Sequence, residues 1–429
     1  MIINHNNINF TNDSNKANAD STFIVSKHNK KYLEQAKLNG CKNFIQSEEL
    51  ENYFDFSSIK IIGITGTNGK TTTAAAIYSI LLDLGYKVAL QGTRGFFIND
   101  ERIEDYSLTT PIQLGNFAHI QKAIENNCDF FVMEVSSHAI EQNRIEGLNF
   151  NLKIHTNITQ DHLDYHNTLQ EYIDVKNSFF QCDTMKLINK DDKNIKFKMK
   201  NAYAYGSENP ATFKVTAYSL KNGIHVALQH FSNVVNFSSP MMGYFNVYNL
   251  TAAVSAISLV TDEPLQKICD QVENFGGVSG RMEIVNQNPL MIVDFAHTPD
   301  GMEKVFQSFS SYDIITVFGA GGDRDNSKRP MMGQIAETFS KKIIITSDNP
   351  RFEDPDKICD DILKGCKKPN LISVEINRKK AIEQSLKFAK DYSNPVILVL
   401  GKGDEQEQIV YDKKFPLNDK NIIKELIAE

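Results

Sequence analysis

The stretch GITGTNGKTTTAAA, residues 63–76, decides the fold, because a strand, a glycine-containing turn and a helix follow one another in it without a break. Residues 59–64 are apolar and β-branched, apart from Lys60, and predict a buried parallel strand. Residues 71–84 are rich in alanine and leucine and predict a helix that ends at Gly85. Between them lies Thr65-Gly66-Thr67-Asn68-Gly69-Lys70-Thr71. The strict phosphate-loop pattern wants a glycine five residues before the Gly-Lys pair, but Ile64 holds that place and Gly63 comes one residue early. The context is still that of a phosphate loop. Gly66 and Gly69 let backbone N–H groups converge, and the helix N-terminus favours anionic oxygens there. Lys70 would neutralise terminal phosphates, and Thr71 would offer a hydroxyl to magnesium. A glycine-rich turn that binds nothing is the bland alternative, and the order strand, loop, Lys-Thr, helix speaks against it.

Outward from this stretch the chain falls into three sections: 1–57, 58–279 and 280–429. The first is rich in asparagine and lysine, with strands expected at 22–25 and 43–46. The second alternates strands and helices, with strands expected at 88–91, 130–134 and 153–157. Residues 194–236 break that rhythm with alternating runs and predict an antiparallel insert. Gly276-Gly277-Val278-Ser279-Gly280 punctuates the chain before the third section. There the α/β rhythm restarts, with strands expected at 290–294, 314–318, 342–346 and 395–400. The expected fold is α/β in three domains: a small N-terminal α/β domain, a central phosphate-loop parallel sheet with an antiparallel insert, and a Rossmann-like C-terminal domain. Such sheets place their sites at the C-terminal ends of strands.

Bulk properties narrow the function. The 429 residues carry a formal net charge of −7, which argues against nucleic acid as the main partner. None of the six cysteines stands in a Cys-x-x-Cys pair, so neither a zinc knuckle nor a disulfide framework is signalled. The opening MIINHNNINF lacks the apolar core of a signal peptide, and no stretch reaches the roughly 18 apolar residues of a membrane span. The expectation is a cytoplasmic protein without stable membrane insertion.

Polar clusters stand where strands are expected to end. Glu134 closes an apolar strand and could hold magnesium opposite the phosphate loop, or serve as a buried cap or ion-pair carboxylate. The run Asn157-Ile158-Thr159-Gln160-Asp161-His162 follows the next strand, and a lone histidine such as His162 is more often structural than a ligand. Lys176, in the helical run 169–180, reads from the residues alone as an ordinary surface lysine. The third section adds Asp294 with Phe295-Ala296-His297, then Gly319-Ala320-Gly321-Gly322-Asp323-Arg324-Asp325, Asp348-Asn349-Pro350-Arg351 and Gly401-Lys402-Gly403-Asp404-Glu405. Arg324 and Arg351 suit carboxylates through their planar fork, and Glu405 could take an ammonium. Together they fit a zwitterionic amino acid, although each arginine alone could be a surface ion pair.

These stretches, with LTTP, MEVSSHAIEQNR, DHLDYH, FNVYN, SGRME and DFAHTPD, resemble the Mur ligase family, ATP-dependent enzymes of peptidoglycan stem-peptide synthesis. The resemblance runs in family order from Gly66 to Glu405. The DNPR form is similar to that of members that add meso-2,6-diaminopimelate to UDP-N-acetylmuramoyl-L-Ala-D-Glu. The resemblance implies ATP contacts from Gly66, Thr67, Asn68, Gly69, Lys70, Thr71, Thr72, Asn249, Arg281 and Asp294. It implies magnesium ligation by Thr71, Glu134, His162 and Lys176, the last as a carbamate formed from CO2, which overturns the surface reading of that lysine. Catalytic roles would fall to Lys70, Glu134, His162 and Lys176. The UDP-linked substrate would meet Thr109, Thr110, Ser136, Gln142 and Arg144. Diaminopimelate would meet Arg324, Asp348, Asn349, Arg351, Gly401 and Glu405. A monomer is expected. Two departures stand out: Asp13-Ser14-Asn15 replaces the family's Asp-Ser-Arg, and Asp404 stands where a histidine is more usual. Three other readings remain: a lysine-adding ligase of the same type, a folylpolyglutamate synthetase, and an ATP-binding module without turnover.

Overall fold

The strand Lys60–Thr65 runs through the middle of the largest sheet, between Leu152–His155 and Phe130–Glu134. The computed structural model describes residues 1–105 and 108–428. Both pairings are parallel, and these strands are buried on both faces, which explains their nearly unbroken apolar sequences. Val88–Gly92 continues the parallel order on one side, and Lys186–Asn189 does so on the other. Thr65, Gly92, Glu134 and His155 therefore end along one edge of the sheet. The helix expected at 71–84 is Lys70–Asp83, with Gly85 in a left-handed conformation just beyond it.

Residues 194–236 do not stand apart as an insert. Ala202–Gly206 and Phe213–Ser219 extend the same sheet in parallel register. Only Ile224–His230 and Asn233–Ser239 turn antiparallel, and they form its outer edge. The alternating sequence reflects strands with one wet face, which the edge of a large sheet supplies as readily as a separate sheet does. One face of the sheet is covered by Lys70–Asp83 and the largely buried helix Tyr244–Val260, the other by Gln113–Glu125.

The N-terminal section opens with a hairpin that its polar sequence conceals. Ile2–His5 and Ile8–Thr11 are joined by Asn6 and Asn7 at φ values of 49° and 63°, the two-residue turn that matches strand twist. Ser21–Val25 and Asn43–Gln46 complete its sheet in parallel order. Phe10, Ile24, Leu50 and Phe54 belong to the same apolar cluster as Phe117 and Ile120 of the central section. Domains of roughly 60 residues bury too little surface to be robust alone, and this shared core offsets that deficit.

The third section holds Leu290–Asp294, Pro395–Leu400, Asp313–Phe318, Lys342–Ile345 and Ile372–Val374 in parallel, with Glu283–Gln287 antiparallel at the edge. Its strand ends again share one edge. Arg378 and Asp419 form an ion pair at 2.7 Å with both side chains at 0% exposure, and Arg378 also donates to the Leu400 carbonyl at 2.9 Å. That contact fixes the chain just before Gly401. Asp419→Ala leaves the guanidinium buried without its counter-charge and is expected to cost about 3–5 kcal/mol. Denaturant unfolding measures this, and a loss below about 1 kcal/mol would show that the charge escapes to water. Among the described residues no helix is long and apolar enough to cross a membrane.

Candidate active site

The strand ends of the second and third sections face each other across a cleft of about 1040 Å³. Its walls carry the phosphate loop from Thr67 to Thr72, Thr109, Glu134 and His162 on one side. Asn249, Arg281 and Asp294 line it further along, and Arg324, Asp348, Asn349, Arg351, Gly401 and Glu405 line it from the third section. Gly66, Thr110, Ser136, Gln142, Arg144 and Lys176 lie outside that lining.

The loop is shaped by the neighbouring strand. Thr67 N donates to the Asn157 carbonyl at 2.7 Å, and Asn68 N donates to Asn157 Oδ1 at 3.0 Å. Gly69 caps the helix at φ 86°, and a Cβ there would lie 2.4 Å from Asn249 Oδ1, so only glycine fits. Lys70 Nζ donates to the carbonyls of Gly66 at 2.7 Å and Thr67 at 2.8 Å. Burial lowers its pKa, while Glu134 and Asp161 oppose that shift.

Glu134 is 2% exposed. It accepts from Thr71 Oγ1 at 2.9 Å and from Thr93 N at 2.9 Å. Thr93 Oγ1 in turn lies 3.1 Å from Thr109 Oγ1. Gly92 permits this approach, since a Cβ on it would sit 2.2 Å from Glu134 Oε1. Among the described residues no cluster of three or more His, Cys, Asp or Glu forms a protein cage for a metal. Magnesium seldom needs one: a carboxylate, a hydroxyl, waters and substrate phosphates are its usual oxygen donors. The Thr71–Glu134 pair beside the loop fits that donor set.

Behind the loop, Asp161 is nearly buried and faces three nitrogen groups, His162 Nε2 at 3.5 Å, Lys328 Nζ at 3.8 Å and His297 Nε2 at 4.0 Å. Burial alone would raise its carboxyl, but His162, His297 and Lys328 hold it at about 2. The His162 imidazole is pushed down to about 3, chiefly by desolvation, with Asp161 pulling the other way. A neutral ring is the form that can ligate a metal.

Lys176 is not on the surface. It is 1% exposed, because the helix Leu169–Ser178 turns it inward under the loop. Its Nζ donates to the Gly66 carbonyl at 2.9 Å and to Thr65 Oγ1 at 3.4 Å. Burial, and secondarily Lys70, push this amine well below the usual lysine range. Periodicity could not reveal this, since the burying partners come from residues more than a hundred positions away.

The residues expected to hold the UDP-linked substrate form one hydrogen-bonded chain. Arg144 Nη1 donates to the Thr110 carbonyl at 2.9 Å, Arg144 Nη2 donates to Gln142 Oε1 at 2.6 Å, and Gln142 Nε2 donates to Tyr165 OH at 2.9 Å. Thr110 is fully buried, donates to the Glu134 carbonyl at 2.9 Å and accepts from Ser136 N at 3.0 Å. It braces the strand end from behind. Ser136 Oγ accepts from Ala139 N and caps the helix Ser137–Glu141.

Among the residues expected to meet ATP, the Arg281 guanidinium lies 4.1 Å from the centre of the Phe295 ring. Asp294 accepts from Met282 N and Ala296 N, both at 2.7 Å. Asn249 is nearly buried and donates to Asn246 Oδ1 at 2.8 Å.

In the third section a hairpin of Glu407–Val410 and Lys413–Pro416 packs beside the residues expected to meet diaminopimelate. Arg351 N donates to the Ile409 carbonyl at 3.1 Å, and Tyr411 N donates to the Arg351 carbonyl at 2.7 Å. This holds Arg351 at φ 52°, a conformation uncommon for a side chain of its size. Its Nη1 donates to the Gly322 carbonyl at 2.7 Å. Burial lowers the Arg351 pKa, and neighbouring Arg324 adds to that. Two guanidiniums so placed attract carboxylates. Lys402, which sequence reasoning passed over, is fully buried and donates to Glu405 Oε2 at 2.7 Å and Asn349 Oδ1 at 3.1 Å. Asp161 and Lys402 both lie in polar stretches that follow strands, but nothing in their spacing distinguishes them. Thr93 had no signal, because its role depends on a hairpin turn meeting a distant strand end.

Comparisons with known proteins identify the family and the fold. Residues 64–257 match the Mur ligase middle domain, and residues 280–403 match the Mur ligase, glutamate ligase domain. A protein of Wolinella succinogenes called UDP-N-acetylmuramoyl-L-alanyl-D-glutamate--2,6-diaminopimelate ligase is 51% identical over 417 residues, covering 97% of this chain and 95% of its own. A Helicobacter hepaticus protein of the same name is 49% identical over 416 residues, covering 95% of this chain and 89% of its own. A solved structure of a ligase so named superposes with a TM-score of 0.67 at 28% identity, covering 98% of this chain and 94% of that one. A Mycobacterium tuberculosis folylpolyglutamate synthase shares the fold, with a TM-score of 0.67 at 16% identity over 81% of this chain and 89% of its own.

Proposed function

The chain belongs to the Mur ligase family, and we propose from that premise that it joins meso-2,6-diaminopimelate to the D-Glu side-chain carboxylate of UDP-N-acetylmuramoyl-L-Ala-D-Glu, at the expense of ATP, in peptidoglycan precursor synthesis. What supports this most is that the phosphate loop and the arginine–carboxylate set of the third section line one cleft. An activated carboxylate formed at the loop then lies where an amine held by Glu405 can reach it.

The D-Glu carboxylate oxygen attacks the γ-phosphorus of ATP, the bond to the β-phosphate oxygen breaks, and an acyl phosphate and ADP result. The amine then adds to the acyl carbon, loses a proton, and phosphate departs as the amide forms. Lys70 and the helix N-terminus stabilise charge on the transferring phosphoryl group. Magnesium, held by Thr71, Glu134 and His162, would spread that charge further. Lys176, as a carbamate, would be the fourth group of that centre. Its neutral amine adds to CO2 and loses a proton, giving a carbamate that replaces a cation with an anion. Its burial and depressed basicity support this, since only the neutral amine is nucleophilic. Arg324 and Arg351 bind substrate carboxylates, with Arg351 on the one distal to the reacting amine. The enzyme works as a monomer in the cytoplasm.

ADP release with the UDP-linked dipeptide, ATP and magnesium tests this, comparing meso-diaminopimelate, L-lysine and no amino acid. Release that requires diaminopimelate is expected. Release with lysine instead would keep the ligase and overturn the role of Arg351, and release with neither would overturn the ligase. Arg351→Leu is expected to raise KM for diaminopimelate at least about 30-fold, as for loss of a charge-assisted contact. A KM within twofold of the original would remove Arg351 from recognition.

A further inference from the structure

We propose that Arg94 and Asp404 form a latch that holds the amino-acid loop against the metal-binding carboxylate, so that both are positioning residues for the incoming amine. The inference rests on the reading of Glu405 as an amino-acid ligand. Arg94 Nε lies 3.2 Å from Asp404 Oδ2, with side chains 34% and 15% exposed. The two residues are separated by 310 positions, so the pair joins the central section to the third.

Each partner sits next to a group of the reaction. Arg94 occupies the turn between Val88–Gly92 and Gly95–Ile98, and its neighbour Thr93 binds Glu134 through its backbone N–H. Asp404 precedes Glu405, whose carboxylate is held by Lys402 and Asn349. The Asp404 backbone also packs on Gly280 at the junction between the two sections, where a Cβ would come within 2.1 Å of Asp404 N. Lys402 thus sets the Glu405 side chain within its own section, while Arg94 sets the whole loop relative to Glu134. The pair spans two sections of the chain, so its free energy is gained only while the Glu405 loop and the Thr93 turn are in contact. Because the loop it holds is the one carrying Glu405, its loss falls on the amino acid rather than on ATP.

The test is steady-state ligase kinetics on Arg94→Ala, Asp404→Asn and the double variant. Each single variant is expected to raise KM for diaminopimelate about fivefold, the scale of a part-buried ion pair. KM for ATP should stay within about twofold, and the double variant should be no worse than the worse single variant. The exchanged pair, Arg94→Asp with Asp404→Arg, should recover part of the loss. Multiplying penalties in the double variant, equal effects on ATP and diaminopimelate, or unchanged kinetics would each overturn the latch. An original enzyme that needs no amino acid for ADP release would instead overturn the ligand role of Glu405.

Discussion

Lys70→Ala is expected to lower kcat by at least about 10³-fold, the scale on which a lost phosphoryl-stabilising cation is felt. Lys70 is held within the loop by the Gly66 and Thr67 carbonyls, so its ammonium stands at the mouth of the helix N-terminus. Lys70 is the single lysine of the loop from Thr65 to Thr71. Its side chain contributes little to packing, and the thermal midpoint should move by only about 2–4 °C. Rapid-quench measurement of acyl phosphate formation separates the steps. The loss should appear there, before any amino acid is added. A variant that forms acyl phosphate at the original rate would show that Lys70 serves nucleotide binding alone.

Lys176→Met should be nearly as damaging, at about 10²–10³-fold in kcat, because it would remove the proposed carbamate and leave a thioether in its place. ADP affinity should change little, since Lys176 lies behind the loop rather than in the cleft lining. The original enzyme should lose activity when CO2 and bicarbonate are removed and regain it on their return. At a fixed concentration of dissolved CO2, the rate of that return should rise with pH. A depressed amine pKa means that raising the pH increases the neutral, nucleophilic fraction until it saturates, well below the usual lysine range. Carbon-13 NMR with labelled bicarbonate should show a carbamate signal that Lys176→Met abolishes. Activity indifferent to CO2 with no such signal would refute the carbamate and leave Lys176 as a buried structural amine.

The element pattern was largely open to sequence reasoning. The strands Phe130–Glu134, Leu290–Asp294 and Pro395–Leu400 are found where apolar runs placed them, because strands buried on both faces admit few polar residues. The hairpin at Ile2–His5 and Ile8–Thr11 was not open in this way, since its identity lies in two asparagines with positive φ rather than in apolar alternation. The antiparallel run after residue 194 was recognisable as strands, but its attachment to the main sheet was not. Register between distant strands is set by pairing and not by local preference.

The sequence by itself determined the phosphate loop, the alternation of strand and helix, and the polar segments at the strand ends, because each depends on neighbours in the chain. Only the tertiary structure decided which of those segments share a cleft. It turned Lys176 inward, set Asp161 among His162, His297 and Lys328, and joined Arg94 to Asp404. Charge and burial depend on groups brought together from far apart, and no local pattern carries that information.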